Sequence, residues 1–311
     1  MKKIGLVLDG GGGKGAYHIG VWKYLKEVGF DNNIKAISGT SVGGLNACLF
    51  ALNNYELAET IWTQRIQDKI LSFHGFDKDD FDKTMNLLSI PLNVSISIFN
   101  VLKALALKGI FSRKGLSELI DKYIDLEVIS NMYFPIYVTC TELPLFKTKY
   151  FKLNGRDVNT IEKMLLSTSA IPVIFPYETV YIDDKKSYWD GGLKDNSPIK
   201  PLYENEGCTD IIVIHLDPFQ IIKDTPNNVN IYEIYPKEDL GNAITGVLDF
   251  SPEGAFRRIN QGYEDAKKIL STTVNIARLG ANTINTINKI AINNIQFNKD
   301  MNNIDNILKE L

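Results

Sequence analysis

Five of the seven residues from Asp9 to Gly15 (DGGGGKG) are glycine, and they stand between an apolar stretch and an amphipathic one. A run like this is costly inside a helix or strand, where each glycine loses about 0.5–1 kcal/mol relative to alanine, so it reads as a tight loop. Lys3 to Leu8 before it reads as a buried strand. Ala16 to Val28 after it carries Ile19, Trp22, Leu25 and Val28 at helical spacing. Strand, glycine loop and helix in that order open an α/β layer. Without Cβ atoms the loop's N–H groups can point into one cavity, and the helix N-terminus adds positive dipole. Such a loop suits an anion or a developing oxyanion.

The remaining elements continue the alternation. Ile34 to Ser38 reads as a strand, Gly44 to Leu52 and Tyr55 to Leu71 as helices, and 80–124 as a mostly helical cap or insertion. Phe134 to Thr139, Lys149 to Leu153 and Lys186 to Trp189 are strand-like, and Thr160 to Leu166 is helical. Asp210 to Leu216 (DIIVIHL) is nearly continuous in apolar residues, as expected of a strand buried on both faces of a parallel sheet. These elements predict a three-layer α/β/α fold with a mostly parallel central sheet. Lys223 to Gly241 reads as a long polar surface connection, and Glu253 to Leu270 as an amphipathic helix. The expected organisation is a catalytic core over 1–220, with the cap at about 80–124, and a C-terminal helical extension over 221–311 packed on that core.

Composition narrows the function classes. The chain has 34 Lys+Arg against 37 Asp+Glu and a net charge of -3 over 311 residues, so it carries no global footprint for nucleic acid. Three histidines are too few for a histidine-built metal centre with a second shell of further histidines. Cys48, Cys140 and Cys208 lack CxxC spacing, which argues against a zinc site or disulfide framework and for a reducing compartment. Met1-Lys2-Lys3 and the apolar run after it imitate a signal peptide, but the run stops at Asp9 with no cleavage site. The expectation is a cytoplasmic protein without a leader or a membrane-spanning helix. Ile90 to Phe111, with only Lys103 and Lys108 charged, reads as a buried cap helix or as an interfacial segment making peripheral membrane contact.

Two nucleotide readings of the glycine loop can be weighed. A Walker loop needs Ser or Thr after its Lys, where Gly15 stands. Gly10, Gly12 and Gly15 satisfy GxGxxG, which keeps a nucleotide-binding oxidoreductase as an alternative, but the second strand ends at Ser38-Gly39-Thr40 without the acid that a ribose requires. That strand end instead carries Gly39-Thr40-Ser41-Val42-Gly43, a GxSxG turn between strand and helix. Small residues on both sides let Ser41 project from a sharp backbone bend; the bland alternative is a serine helix cap.

A serine hydroxyl needs a base. His74 reads as a loop residue and His18 as a helix-face residue. His215, near the end of a central strand, is the histidine candidate, although a satisfied core histidine fits it as well. Asp190, in Trp189-Asp190-Gly191-Gly192, is the competing base; by itself it also fits an ordinary Asp-Gly turn.

Four segments together resemble the patatin-like phospholipase family. They are Gly10-Gly11-Gly12-Gly13-Lys14-Gly15, the Gly39 to Gly43 turn, Ser169 to Pro176, and Asp190-Gly191-Gly192 followed by Asn196 and Pro198. The resemblance implies a lipid acyl hydrolase of phospholipase A, lysophospholipase or esterase type. Ser41 would be the nucleophile, Asp190 the base, and Gly11, Gly12 and Gly13 the oxyanion hole, with no metal or cofactor. Gly10, Lys14, Gly15, Gly39, Gly43, Gly191 and Gly192 would shape the motifs, Lys14 either drawing a lipid phosphate or anchoring its loop. A weak aspartate base implies a partly buried site that raises its pKa. A thioesterase or acyltransferase on the same dyad and a catalytically silent lipid-binding protein remain open.

Overall fold

The computed structural model describes residues 3–70, 113–171, 180–182, 186–220, 222 and 225–271. His74, the Ile90 to Phe111 segment, most of the expected cap and the chain after 271 lie outside them. The chain divides into two compact units, Met1–Ala266 and Lys267–Leu311. The first unit therefore runs past residue 220, where the sequence reading drew its boundary.

Its centre is an eight-stranded sheet: β1 (Ile4–Leu8), β2 (Ile34–Thr40), β3 (Ile136–Leu143), β4 (Lys147–Lys152), β5 (Val180–Ile182), β6 (Lys186–Asp190), β7 (Asp210–Ile214) and β8 (Asn230–Ile234). The run β3-β2-β1-β7-β8 is parallel throughout, while β4, β5 and β6 add antiparallel pairs. Every residue of β7 is buried, Asp210 included, as the apolar run Ile211 to Ile214 requires. β8 corrects the reading of Lys223 to Gly241 as a plain surface connection. It is an edge strand with alternating exposure, so its pattern is diluted by polar residues.

Helices cover both faces, giving three layers. Leu6 and Leu8 share a small void with His18, Ile19, Trp22 and Leu25 of α1 (Ala16–Glu27). On the opposite face Val7, Ala36, Ile211 and Val213 pack with Leu202 of the helix Lys200–Glu204. Each Leu or Ile buried in full contributes about 1.5–3 kcal/mol, so these two cores fix which strand face meets which helix. Among the described residues no helix is long and apolar enough to cross a membrane.

Candidate active site

β3 brings the serine and the aspartate together. One of its edges pairs with β4 from Tyr137 to Glu142. β2 pairs with Ile136 to Thr139, and β6 with Cys140 to Leu143. A strand has two edges, so β2 and β6 must lie end to end along the edge that β4 leaves free. Thr40 sits opposite Thr139 and Asp190 opposite the next residue, Cys140. Ser41, following Thr40, thus meets Asp190 where the two strands abut.

Ser41 caps α2 (Val42–Ala51) with φ 55° and ψ -126°, a left-handed backbone that costs a non-glycine residue energy and persists only when surroundings enforce it. Its N–H donates to Thr168 Oγ1 at 2.9 Å, and the Thr168 hydroxyl donates to the Thr139 carbonyl at 2.6 Å. Gly39 and Gly43 supply the close approach: a Cβ at Gly43 would lie 2.2 Å from the Leu8 carbonyl oxygen, and one at Gly39 2.3 Å from the Gly43 carbonyl carbon.

The buried Asp190 carboxylate lies beside the Ser41 side chain and accepts the Gly192 N–H at 2.7 Å. Its N–H donates to the Ala170 carbonyl at 2.9 Å, and its carbonyl accepts from Thr141 Oγ1 at 2.9 Å. Burial raises its pKa from 3.8 to about 6, while the bonds from Ser41 and Gly192 restrain the rise. Gly191 packs against the Thr139 carbonyl, where a Cβ would come within 2.4 Å.

The segment carrying Asp190 also grips the glycine loop. Gly10 N–H donates to Asn196 Oδ1 at 3.1 Å, and Asn196 Nδ2 donates back to the Gly10 carbonyl at 3.2 Å. A Cβ at Gly10 would lie 3.1 Å from Ser41 Cβ, which puts the loop directly beside the serine. Gly12 to Gly15 form one 3-10 turn, and the Gly15 carbonyl accepts from Asn46 Nδ2 at 2.9 Å. The amides of Gly11, Gly12 and Gly13 meet no acceptor among the described residues. Lys14 lays its stem toward Gly246, whose added Cβ would lie 2.8 Å from Lys14 Cε, and its ammonium has no anionic partner among the described residues.

The histidines are engaged elsewhere. His215 is fully buried, its Nδ1 2.8 Å from Asp9 Oδ2 and its Nε2 3.0 Å from Glu233 Oε1, with the ring stacked on Tyr235. Burial alone would lower its pKa, but bonding and charge from Asp9 and then Glu233 outweigh burial and raise it. With both ring nitrogens taken up by carboxylates, neither is directed at Ser41. His18 is also buried, against Asn46, and burial lowers its pKa to about 3.

Beside Ser41 opens an apolar cavity of about 950 Å³, its solvent-open mouth included. Leu45, Leu49, Trp62, Leu119, Ile120 and Phe250 are among its walls. The walls are apolar almost throughout, as in sites for apolar ligands.

The model of the patatin-like phospholipase family matches residues 6–203, well over half of the chain. The chain belongs to that family. The same membership displaces the dinucleotide reading of Gly10, Gly12 and Gly15. Among curated proteins it is similar to lysophospholipase NTE1 of Cryptococcus neoformans var. neoformans serotype D, 27% identical over 278 residues. That match covers 89% of this chain but 14% of the fungal protein. Lysophospholipase NTE1 of Coccidioides immitis is 50% identical over 50 residues, 16% of this chain and 3% of that protein. The chain thus spans a small part of the length of these relatives. Among solved structures VipD from Legionella pneumophila shares the fold, with a TM-score of 0.52 and 16% identity over 88% of this chain and 67% of that one.

Sequence reasoning passed over three residues that the site uses. Thr168 holds the Ser41 amide and has no local signal, since its partners come from the turn after β2 and from β3. Asn196 carries no signal beyond its place after the Asp190 motif. Arg258, whose guanidinium reaches the Gly13 carbonyl, lies on the buried face of a helix over 252–271 with Ala255, Ile259 and Gly262. An arginine at a core position of the helical period was the available clue.

Proposed function

We propose that the chain is a serine lipid acyl hydrolase working through Ser41 and Asp190. The meeting of Ser41 and Asp190 where β2 and β6 abut along β3, between the glycine loop and an apolar cavity, carries this reading. Ionised Asp190 takes the Ser41 proton as Oγ attacks the ester carbonyl. The oxyanion is met by the amides of Gly11, Gly12 and Gly13. Collapse of the tetrahedral intermediate breaks the bond to the alcohol, which leaves with the proton from Asp190, and the acyl group stays on Ser41. Water, giving its proton to Asp190, then attacks the acyl-enzyme, and collapse returns that proton to Ser41 and frees the acid. The strained Ser41 backbone and the committed Thr168 hydroxyl keep Oγ fixed, so little reorganisation accompanies attack.

The cavity walls favour an acyl chain over a polar leaving group, so the chain lies against Leu45, Leu119 and Phe250 and the head group lies toward solvent. Long-chain phospholipids or lysophospholipids are the proposed substrates, consistent with the names of the fungal relatives. The test is release of fatty acid from lysophospholipid and phospholipid vesicles by wild type and Ser41→Ala. Turnover by wild type and none by Ser41→Ala supports the reading; equal release by both refutes it.

A further inference from the structure

The family match ends at residue 203, yet the glycine loop is seated on residues far beyond it. A Cβ at Gly12 would lie 2.2 Å from the Val247 carbonyl oxygen, and one at Gly13 2.2 Å from that of Asp249. The backbone of 247–249 therefore lies directly behind the loop, with no room for a side chain between them. The same stretch supplies Val247, Leu248 and Phe250 to the cavity beside Ser41.

A single buried guanidinium holds that backbone. Arg258 is 0% exposed. Its Nε donates to the Leu240 carbonyl at 3.2 Å and its Nη2 to the Thr245 carbonyl at 2.6 Å. Nη2 also donates to Asp249 Oδ2 at 2.7 Å, while Nη1 donates to the Asp249 carbonyl at 2.9 Å and reaches the Gly13 carbonyl at 3.4 Å. Asp249 is itself held, accepting the Ser251 N–H at 3.1 Å and its hydroxyl at 2.5 Å. Backbone contact fixes the helix over 252–266 against α1: a Cβ at Gly20 would lie 1.9 Å from the Ile259 carbonyl oxygen, and one at Gly262 2.2 Å from that of Tyr17.

Burying a charged pair is a poor way to stabilise a fold, because desolvation costs several kcal/mol per ion and an apolar residue of the same volume often serves as well or better. What an arginine offers instead is a rigid planar fork that holds several carbonyls at fixed mutual positions. Here those carbonyls come from the loop and from the segment that backs it.

We propose that Arg258, paired with Asp249, is a positioning residue for the oxyanion loop. It fixes the 245–249 backbone against Gly12 and Gly13, and so holds the loop amides at the distance from Ser41 that acyl transfer requires. The catalytic unit then includes residues 240–258. This inference rests on the serine hydrolase reading above. Arg258 acts through the backbone and touches no reacting atom.

The test uses the full chain with Arg258→Met, Arg258→Lys and Asp249→Asn, measuring kcat and KM on a short-chain ester. Active sites are counted by exhaustive labelling of Ser41 with a fluorophosphonate, and thermal unfolding is followed alongside. Removing an oxyanion donor outright costs about 10²–10³ in kcat. A loop that has lost its backing should lose less, about 10- to 100-fold in kcat per titrated site for Arg258→Met, with KM within about twofold. Arg258→Lys should recover part of the loss, and Asp249→Asn should lose about three- to tenfold. A residue that only tethers the helix would lower the melting temperature and the titrated fraction but leave kcat per titrated site unchanged. That result in Asp249→Asn and Arg258→Lys overturns the proposal, even where Arg258→Met does not fold. A wild type with no Ser41-dependent turnover would instead refute the hydrolase reading, and this inference with it.

Discussion

Asp190 should make the fold less stable as pH rises through its raised pKa, and the size of that effect follows from its surroundings. A carboxyl raised from 3.8 to about 6 carries a penalty on its charged form of up to about 3 kcal/mol. Because the folded pKa lies above the unfolded one, the folded chain binds the proton more tightly. The stability this gives is full below about pH 3.8 and is lost as pH rises through about 6. Asp190→Asn removes the titration while keeping the geometry: its Oδ1 can accept the Gly192 N–H and its Nδ2 can donate to Ser41. At pH 8 this variant should be more stable than wild type by up to about 3 kcal/mol. With about 2–4 °C per kcal/mol for a unit of this size, its melting temperature should rise by at most roughly 6–12 °C. At pH 4, where Asp190 is neutral in the wild type, the gap should shrink below about 1 kcal/mol. The assay is thermal unfolding of both proteins from pH 4 to 8, with esterase activity on the same samples. A variant less stable than wild type at pH 8, or a gap independent of pH, would refute a buried base held against its own charge.

Three further outcomes are expected. The acid limb of kcat/KM on an uncharged ester should have its midpoint near 6, because only ionised Asp190 takes the Ser41 proton; a midpoint near 4 or a flat profile contradicts this. His215→Ala breaks a buried pair with Asp9 and should cost about 3–5 kcal/mol of stability, seen in denaturant unfolding, yet keep kcat per folded molecule within about tenfold of wild type. If His215→Ala abolishes turnover while Asp190→Asn keeps it, the assignment of the base is wrong. Leu119→Trp fills part of the cavity and should reduce turnover of long-chain esters relative to butyrate by about tenfold or more; an unchanged ratio would place the acyl chain elsewhere.

The parts of the site legible in the sequence were those made by local chain. Strand, glycine loop and helix around Gly10 to Gly15, and strand, turn and helix around Ser41, each lie within about thirty residues, so periodicity and turn chemistry describe them. Ser41 and Asp190 are brought together by a non-local event, the sharing of one edge of β3 by β2 and β6. The sequence reading ended that strand at Thr139. The four residues it left out, Cys140 to Leu143, are the ones that pair with β6. Thr141 and Glu142 put two polar side chains in succession there, and a salt bridge to Lys186 makes Glu142 tolerable at 9% exposure. β8 was missed for a related reason, since an edge strand buries only part of one face. Arg258 shows the opposite limit. Its helix was legible, but a sequence pattern cannot tell a buried guanidinium from one that snorkels to solvent.

The central claim is that Ser41 is a nucleophile activated by Asp190 and served by the glycine loop. The most direct measurement is labelling by a long-chain fluorophosphonate, with the adduct mapped by peptide mass and its rate followed in wild type, Ser41→Ala and Asp190→Asn. One adduct per chain is expected on Ser41, none in Ser41→Ala, and labelling slowed by about 10²–10⁴ in Asp190→Asn, the usual contribution of a positioned base. An adduct on another residue, or labelling of Asp190→Asn at the wild-type rate, would contradict it.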